Sequence, residues 1–192
     1  KRERLSDFLK IAASRWITFT CTYSFLQFQK DRHPAAGVVA MQTIHVPAGQ
    51  RAELTLSDST KVWLNSRTTF IFPSQFADSG REVYLDGEGY FDVAHDAGRQ
   101  FKINTHDHVI KVLGTEFNVT AYSKENVFFT TSLIDGAVEI NSHNNDQNIS
   151  LTPGNQAYLK DGRLMVSPIQ HYDYFLWKKG IISFNHEQLK DI

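Results

Sequence analysis

The chain has 192 residues, 41% of them hydrophobic, with 20 Lys and Arg against 21 Asp and Glu. That length and apolar content supply one substantial core, and a net charge of −1 with basic residues scattered among acids argues against a protein that holds nucleic acid by neutralising phosphates. A single cysteine, Cys21, excludes an intramolecular disulfide and a thiolate metal site.

Lys1, Arg2, Arg4 and Lys10 open the chain, and after Arg15 the run from Trp16 to Phe28 carries no charge. A membrane-spanning helix needs about 20 mainly apolar residues, a length reached only by including residues 11–15. Ile17, Phe19, Cys21, Tyr23 and Phe25 also alternate with Thr18, Thr20, Thr22 and Ser24, the pattern of a half-buried strand. Residues 1–29 therefore carry two readings, a short span or a strand. The threonines, with no small-residue site behind them, argue against a cleaved signal peptide. Residues 30–43, with Pro34 and Gly37 and no sustained period, read as a linker.

From Ile44 onward, short alternating apolar runs follow one another closely. Strands are predicted at 52–56, 61–64, 82–85, 90–93, 101–104, 109–113, 117–122, 127–133, 137–140 and 156–160, with no helix-period segment between them. Leu54, Leu56, Val83, Leu85, Phe101, Ile103, Phe117 and Val119 recur at every second residue and are the predicted core, joined by Trp63 and Phe70. Gly87, Gly89, Gly98 and Gly114 separate the runs, and Gly87-Glu88-Gly89 reads as a tight turn. Residues 141–148, NSHNNDQN, read as a polar hairpin loop. The fold class is all-β, two packed sheets over residues 44–168.

After Pro168 the composition changes. Tyr172, Tyr174, Phe175 and Trp177 cluster; residues 180–184 read as a strand, and Asn185 with Gln188 as a helix-opening capping box. Such a fragment cannot by itself bury Ile182, Phe184 and Leu189. The aromatic cluster reads as packing, or alternatively as an interaction surface.

No catalytic, cofactor or metal set is expected. His106-Asp107-His108 lacks the nearby carboxylate and distant third histidine of a jelly-roll metal site and reads as a solvated turn. Asp86, Glu88 and Asp92 lie too close in sequence to speak for the carboxylate separation that glycoside hydrolysis needs. Ser57-Asp58-Ser59 has no nucleophile elbow, and the glycines lack the Lys-Ser/Thr of a phosphate loop.

The order REVYLDGEGYFDVA, FKINT, VLGTEFNVTAY, LIDGAVEI and LTPG, preceded by Val46 to Arg51 and LTLSDSTKVWLNSRTTFIFP and followed by WKKGIISFNHEQLKDI, resembles the FecR family of transmembrane anti-sigma factors in the form common in Bacteroidetes. One departure stands at Ser59, where the family usually has Gly, a residue that tolerates positive φ. The resemblance implies a jelly-roll-like β-sandwich at 44–168 and a single membrane helix in 1–29, its basic residues on the cytoplasmic side. It also implies the start of a small α/β domain at 169–192. By the same resemblance the chain is a piece that lacks a cytoplasmic anti-sigma domain and most of the C-terminal domain. The implied function is non-enzymatic: a periplasmic sensor at the inner membrane that relays a signal from the signalling domain of a TonB-dependent outer-membrane receptor to an extracytoplasmic-function sigma factor. Trp177, Phe184 and Leu189 are the candidate partner-interaction residues. The alternative function is a carbohydrate-binding jelly-roll module.

Overall fold

The computed structural model describes residues 15–16, 18–25, 40–123, 128–143 and 147–181. They belong to two compact units, Lys1–Val39 and Ala40–Ile192.

In the first unit, residues 15–16 and 18–25 are helical, so the threonine alternation does not make a strand. The reason is local. Thr20 Oγ1 donates to the Trp16 carbonyl at 3.0 Å and Thr22 Oγ1 to the Thr18 carbonyl at 2.7 Å, which satisfies each hydroxyl inside the helix that carries it. Among the described residues no helix is long and apolar enough to cross a membrane.

The second unit is built from thirteen strands: β1 Met41–Val46, β2 Ala52–Thr55, β3 Lys61–Leu64, β4 Thr68–Pro73, β5 Arg81–Asp92, β6 Phe101–Asn104, β7 His108–Val112, β8 Glu116–Tyr122, β9 Phe128–Asp135, β10 Val138–Ser142, β11 Asn148–Leu151, β12 Asn155–Lys160 and β13 Arg163–Pro168. They form two layers. One has the order β1-β4-β5-β6-β7-β10-β11 and the other β2-β3-β5-β8-β9-β12-β13. All pairs are antiparallel except β5 with β6.

β5 belongs to both layers. Arg81 to Asp86 pair with β4 and β6, whereas Gly87 to Asp92 pair with β3 and β8. Gly87-Glu88-Gly89 is therefore not a turn but the bend in one long strand. Gly87 sits at φ 135°, and a Cβ there would lie 2.4 Å from Thr68 Oγ1. Only glycine lets the two strands close to this distance. Thr68 Oγ1 then accepts from the Glu88 amide at 3.0 Å and donates to the Glu88 carbonyl at 3.2 Å, fixing the crossover.

Alternation delivers the core. Phe70, Val83, Phe101, Ile103, Ile110 and Ile140 from the first layer meet Val62, Leu64, Phe91, Phe117, Val119 and Leu133 from the second, all fully buried. The Phe91 ring joins the layers, 6.0 Å from Phe70 and 6.4 Å from Phe101. Of the eight predicted alternators, seven are buried and Leu54 packs half-buried at the margin. Strands β1, β4, β11 and β13 are additional to the sequence reading, and the sandwich runs from Met41 to Pro168, so residues 41–43 belong to β1 and not to the linker read at 30–43. The polar stretch 141–148 is in part strand: Asn141 pairs with Asn148, and residues 144–146 lie outside the described residues.

Arg81 is 1% exposed at one end of this core. Its guanidinium donates to Asp58 Oδ2 at 2.8 Å and to the carbonyls of Ala94 at 2.7 Å, Arg99 at 3.0 Å and Leu113 at 3.1 Å. Three separate connections, β2–β3, β5–β6 and β7–β8, are tied to one side chain. Asp58 in turn accepts from the Thr60 amide and hydroxyl, and Ser59 takes φ 72°, so the β2–β3 turn keeps its left-handed residue without glycine.

Candidate functional site

Glu82, Tyr84 and Asp92 of β5 point away from the core into solvent, whereas Glu88 and Tyr90 on the same strand are covered. Tyr90, on β5, is 2% exposed because a 3-10 helix, Tyr172–Lys179, lies across the outer face of the second layer. Ile169, Phe175 and Trp177 form a small second apolar cluster there with Tyr90, Trp63 and Ile134. The Tyr90 ring packs edge-on to Trp63 at 5.9 Å and tilted against Phe175 at 6.2 Å. The helix closes on Gly180 at φ 80°, whose amide donates to the Trp177 carbonyl at 2.9 Å.

A charged group clamps this strap. Lys178 Nζ lies 3.2 Å from Glu116 Oε1 and 3.5 Å above the Tyr90 ring centroid, with Trp63 at 5.5 Å. The Tyr90 hydroxyl donates to the same Glu116 oxygen at 2.6 Å. Burial tends to raise Glu116, but the Tyr90 hydroxyl and the Lys178 ammonium outweigh it and hold the carboxyl below its usual range. Burial and the adjoining Glu116 carboxylate push the Tyr90 phenol far up, so it stays a donor at any physiological pH.

Beside the clamp runs a polar stripe. Glu88, 3% exposed, accepts from Asn65 Nδ2 at 2.7 Å and Asn118 Nδ2 at 3.0 Å. Tyr174, whose ring is half exposed, brings its hydroxyl to Glu88 and Thr120, and burial of that end together with the carboxylate pushes its phenol up. Two buried polar atoms under the strap, Trp177 Nε1 and Asn118 Oδ1, make no hydrogen bond among the described residues. Each costs free energy for as long as the strap stays down.

Of the predicted partner residues, Trp177 is thus on the sandwich and only 6% exposed, while Phe184 and Leu189 lie outside the described residues, as do residues 182–184 of the strand predicted at 180–184 and the Asn185 cap. Gly180 ends the 3-10 helix and does not begin a strand. In the aromatic cluster, Phe175 and Trp177 pack, and Tyr172 and Tyr174 remain about half exposed. Tyr90, Glu116 and Lys178 stand in the stretches REVYLDGEGYFDVA, VLGTEFNVTAY and WKKGIISFNHEQLKDI, but nothing in those stretches joins them; only the outward register of Tyr90 and Glu116 on paired strands could have marked them.

The other motifs resolve as structure. His106 is exposed in the β6–β7 turn, but His108 is 3% exposed and stacks on Phe129 with ring centroids 4.0 Å apart, so the two imidazoles part company. Asp86 accepts from the amide and hydroxyl of Ser123, both at 2.9 Å; Glu88 is held as above. Among the described residues no three His, Cys, Asp or Glu side chains gather as a metal site.

Residues 42–139 match the model of a protein family described as FecR protein. Two crystal structures from Parabacteroides distasonis, each of a protein assigned as an anti-sigma factor, share the fold. One superposes with a TM-score of 0.71 at 28% identity over 79% of this chain and 71% of that one; the other gives 0.70 at 29% over 78% and 70%. No curated protein matches the chain.

Proposed function

Because this chain belongs to the FecR family, whose members are regulators and not enzymes, we propose that it is the sensory β domain of a transmembrane anti-sigma regulator. In this reading the sandwich lies in the periplasm, anchored to the inner membrane through the first unit. It receives a signal from the signalling domain of a TonB-dependent outer-membrane receptor and controls an extracytoplasmic-function sigma factor. The observation that carries the reading is the family match over residues 42–139, which spans β1 to β10 and contains Tyr90 and Glu116.

The geometry suits a relay. The two layers of the sandwich are joined by the shared strand β5 and its connections by Arg81, and the strap that follows β13 is held on its face by side-chain contacts instead of by sheet pairing. A partner that pulls on the chain beyond Gly180 would load Trp177 and Lys178 first. The test is a pull-down of the full-length protein with periplasmic signalling domains of receptors from the same cell, read beside a reporter for the sigma factor. Binding of one such domain, with reporter output that rises in its presence, is the expected result. If no receptor domain binds, or if deleting the gene leaves the reporter unchanged, the reading fails.

A further inference from the structure

Tyr84 of β5 stands 45% exposed on the outer face of the first layer, on the side of the sandwich away from the strap. Its register neighbours are Ile71 of β4 and Asn104 of β6, so the three make one cross-strand row. Side chains two residues apart on a strand share a face, and His45, Thr69 and Asp86 form the next row beside them. Between the rows lies a hollow of about 210 Å³ at Tyr84, and a second of about 200 Å³ continues past Thr69 and Asp86, which line both. Together they enter the range of about 300–1,000 Å³ typical of small-molecule sites.

The polar groups of this groove are held by neighbours and still keep bonding capacity. Asn104 Nδ2 donates to Glu82 Oε1 at 2.7 Å, which orients the amide and keeps its Oδ1 as an acceptor. Each Asp86 oxygen accepts one hydrogen bond from Ser123 at 2.9 Å, and a carboxylate has about four lone-pair sites, so each oxygen can accept once more. His45 Nδ1 lies 3.1 Å from the Thr69 hydroxyl, with Nε2 as the second polar site of the ring, and the Tyr84 hydroxyl both donates and accepts. Asp86 and Arg67 line the same hollow, so a ligand with a fixed charge of either sign would meet its like there. The fitting ligand is uncharged, flat and apolar on its face, and rimmed by groups that donate and accept. A pyranose with equatorial hydroxyls is such a body, its C–H groups lying on the two faces of the ring. We propose that this groove binds a neutral oligosaccharide of the β-linked glucose type, one ring against Tyr84 with a hydroxyl on Asn104 Oδ1, and the next over Thr69 within reach of Asp86 and His45. The site would give the sandwich a chemical input separate from any protein partner, and it stands or falls independently of the family reading.

The test is saturation-transfer NMR of the full chain with cellotriose, and with sorbitol as an acyclic polyol that offers hydroxyls without a ring face. Transfer to the ring C–H groups of cellotriose, saturable at millimolar concentration, is expected, with none to sorbitol. Tyr84→Ala should weaken cellotriose by about tenfold, and Asn104→Ala should weaken it severalfold, both with the melting temperature of the parent chain. No transfer to cellotriose, equal transfer to sorbitol, or unchanged affinity in either variant would each overturn the proposal. Should Tyr84→Ala fail to fold, Asn104→Ala alone decides.

Discussion

Arg81 puts a guanidinium where a sandwich ordinarily has hydrocarbon, and its worth lies in leaving nothing unpaired. Removing it strands the Asp58 carboxylate, 6% exposed, together with three carbonyls. Taking one partner from a buried ion pair costs about 3–5 kcal/mol, so Arg81→Met should lower the unfolding free energy by that amount in urea melts; a loss below about 1 kcal/mol would mean the network is ornamental. Gly87 imposes the opposite kind of constraint. Ala there must adopt φ near 135° and push its Cβ against the Thr68 backbone and side chain, a combination of strain and overpacking worth about 3 kcal/mol. Ser59 offers a gain instead: at φ 72° a residue with a Cβ costs about 1–2 kcal/mol relative to its relaxed form. Part of that is returned by the larger unfolded-state freedom of glycine, so Ser59→Gly should stabilise by up to about 1 kcal/mol. A midpoint that does not move, or falls, would show that the turn is relaxed as it stands.

The 3-10 strap is an element held by side chains alone, and its attachment should be separable from the stability of the sandwich. Lys178→Ala removes an ion pair that is partly exposed and a cation-π contact, together about 1–2 kcal/mol of closing free energy. Hydrogen exchange at residues 172–179 should quicken while β5 and β8 stay protected; simultaneous loss of protection in all three would tie the strap to global unfolding. Acid should do the same. Glu116 is held below its ordinary value of 4.5, so its contribution to closure is complete above that pH and is lost as pH falls through the lower folded value. That Phe175 and Trp177 pack was legible in sequence; the face they pack on and the clamp that holds them were not. Lys178 and Glu116 are 62 residues apart, and nothing in a linear pattern says that an aromatic cluster after the last strand folds back upon the first half of the sandwich.

At the scale of the whole molecule, two-residue periodicity was enough to announce a two-layer β fold and most of its core, because Val83, Leu85, Phe101 and Ile103 face one layer's interior and Phe117 and Val119 the other's. It failed where a strand does not alternate or does not stop. The Leu164-Met165-Val166 run of β13 has no polar partner residues to set a period, and the glycines of β5 look like a turn although they only bend a strand that continues from one layer into the other. The burial of Arg81 was hidden for a related reason: a charge at a strand start reads as solvated until the carbonyls that receive it are in place. His108 shows how the two layers depend on pH. His108 stacks on Phe129 across the gap between layers, and burial pushes its imidazole below the ordinary value of 6.5, with Asp107 acting against the shift and His143 adding to it. The unfolded chain therefore takes up the proton first as pH falls. His108 contributes its full share of stability above about pH 6.5, loses it progressively toward its folded value, and changes nothing further below that. One such proton is worth at most about 1.4 kcal/mol per pH unit. His108→Leu keeps an apolar contact with Phe129 and removes the proton, so between pH 7 and 5 its unfolding free energy should fall less steeply than that of the parent chain. Parallel pH profiles for the two proteins would show that the imidazole is hydrated in the fold and that the two layers are joined at this end by something other than the His108–Phe129 stack.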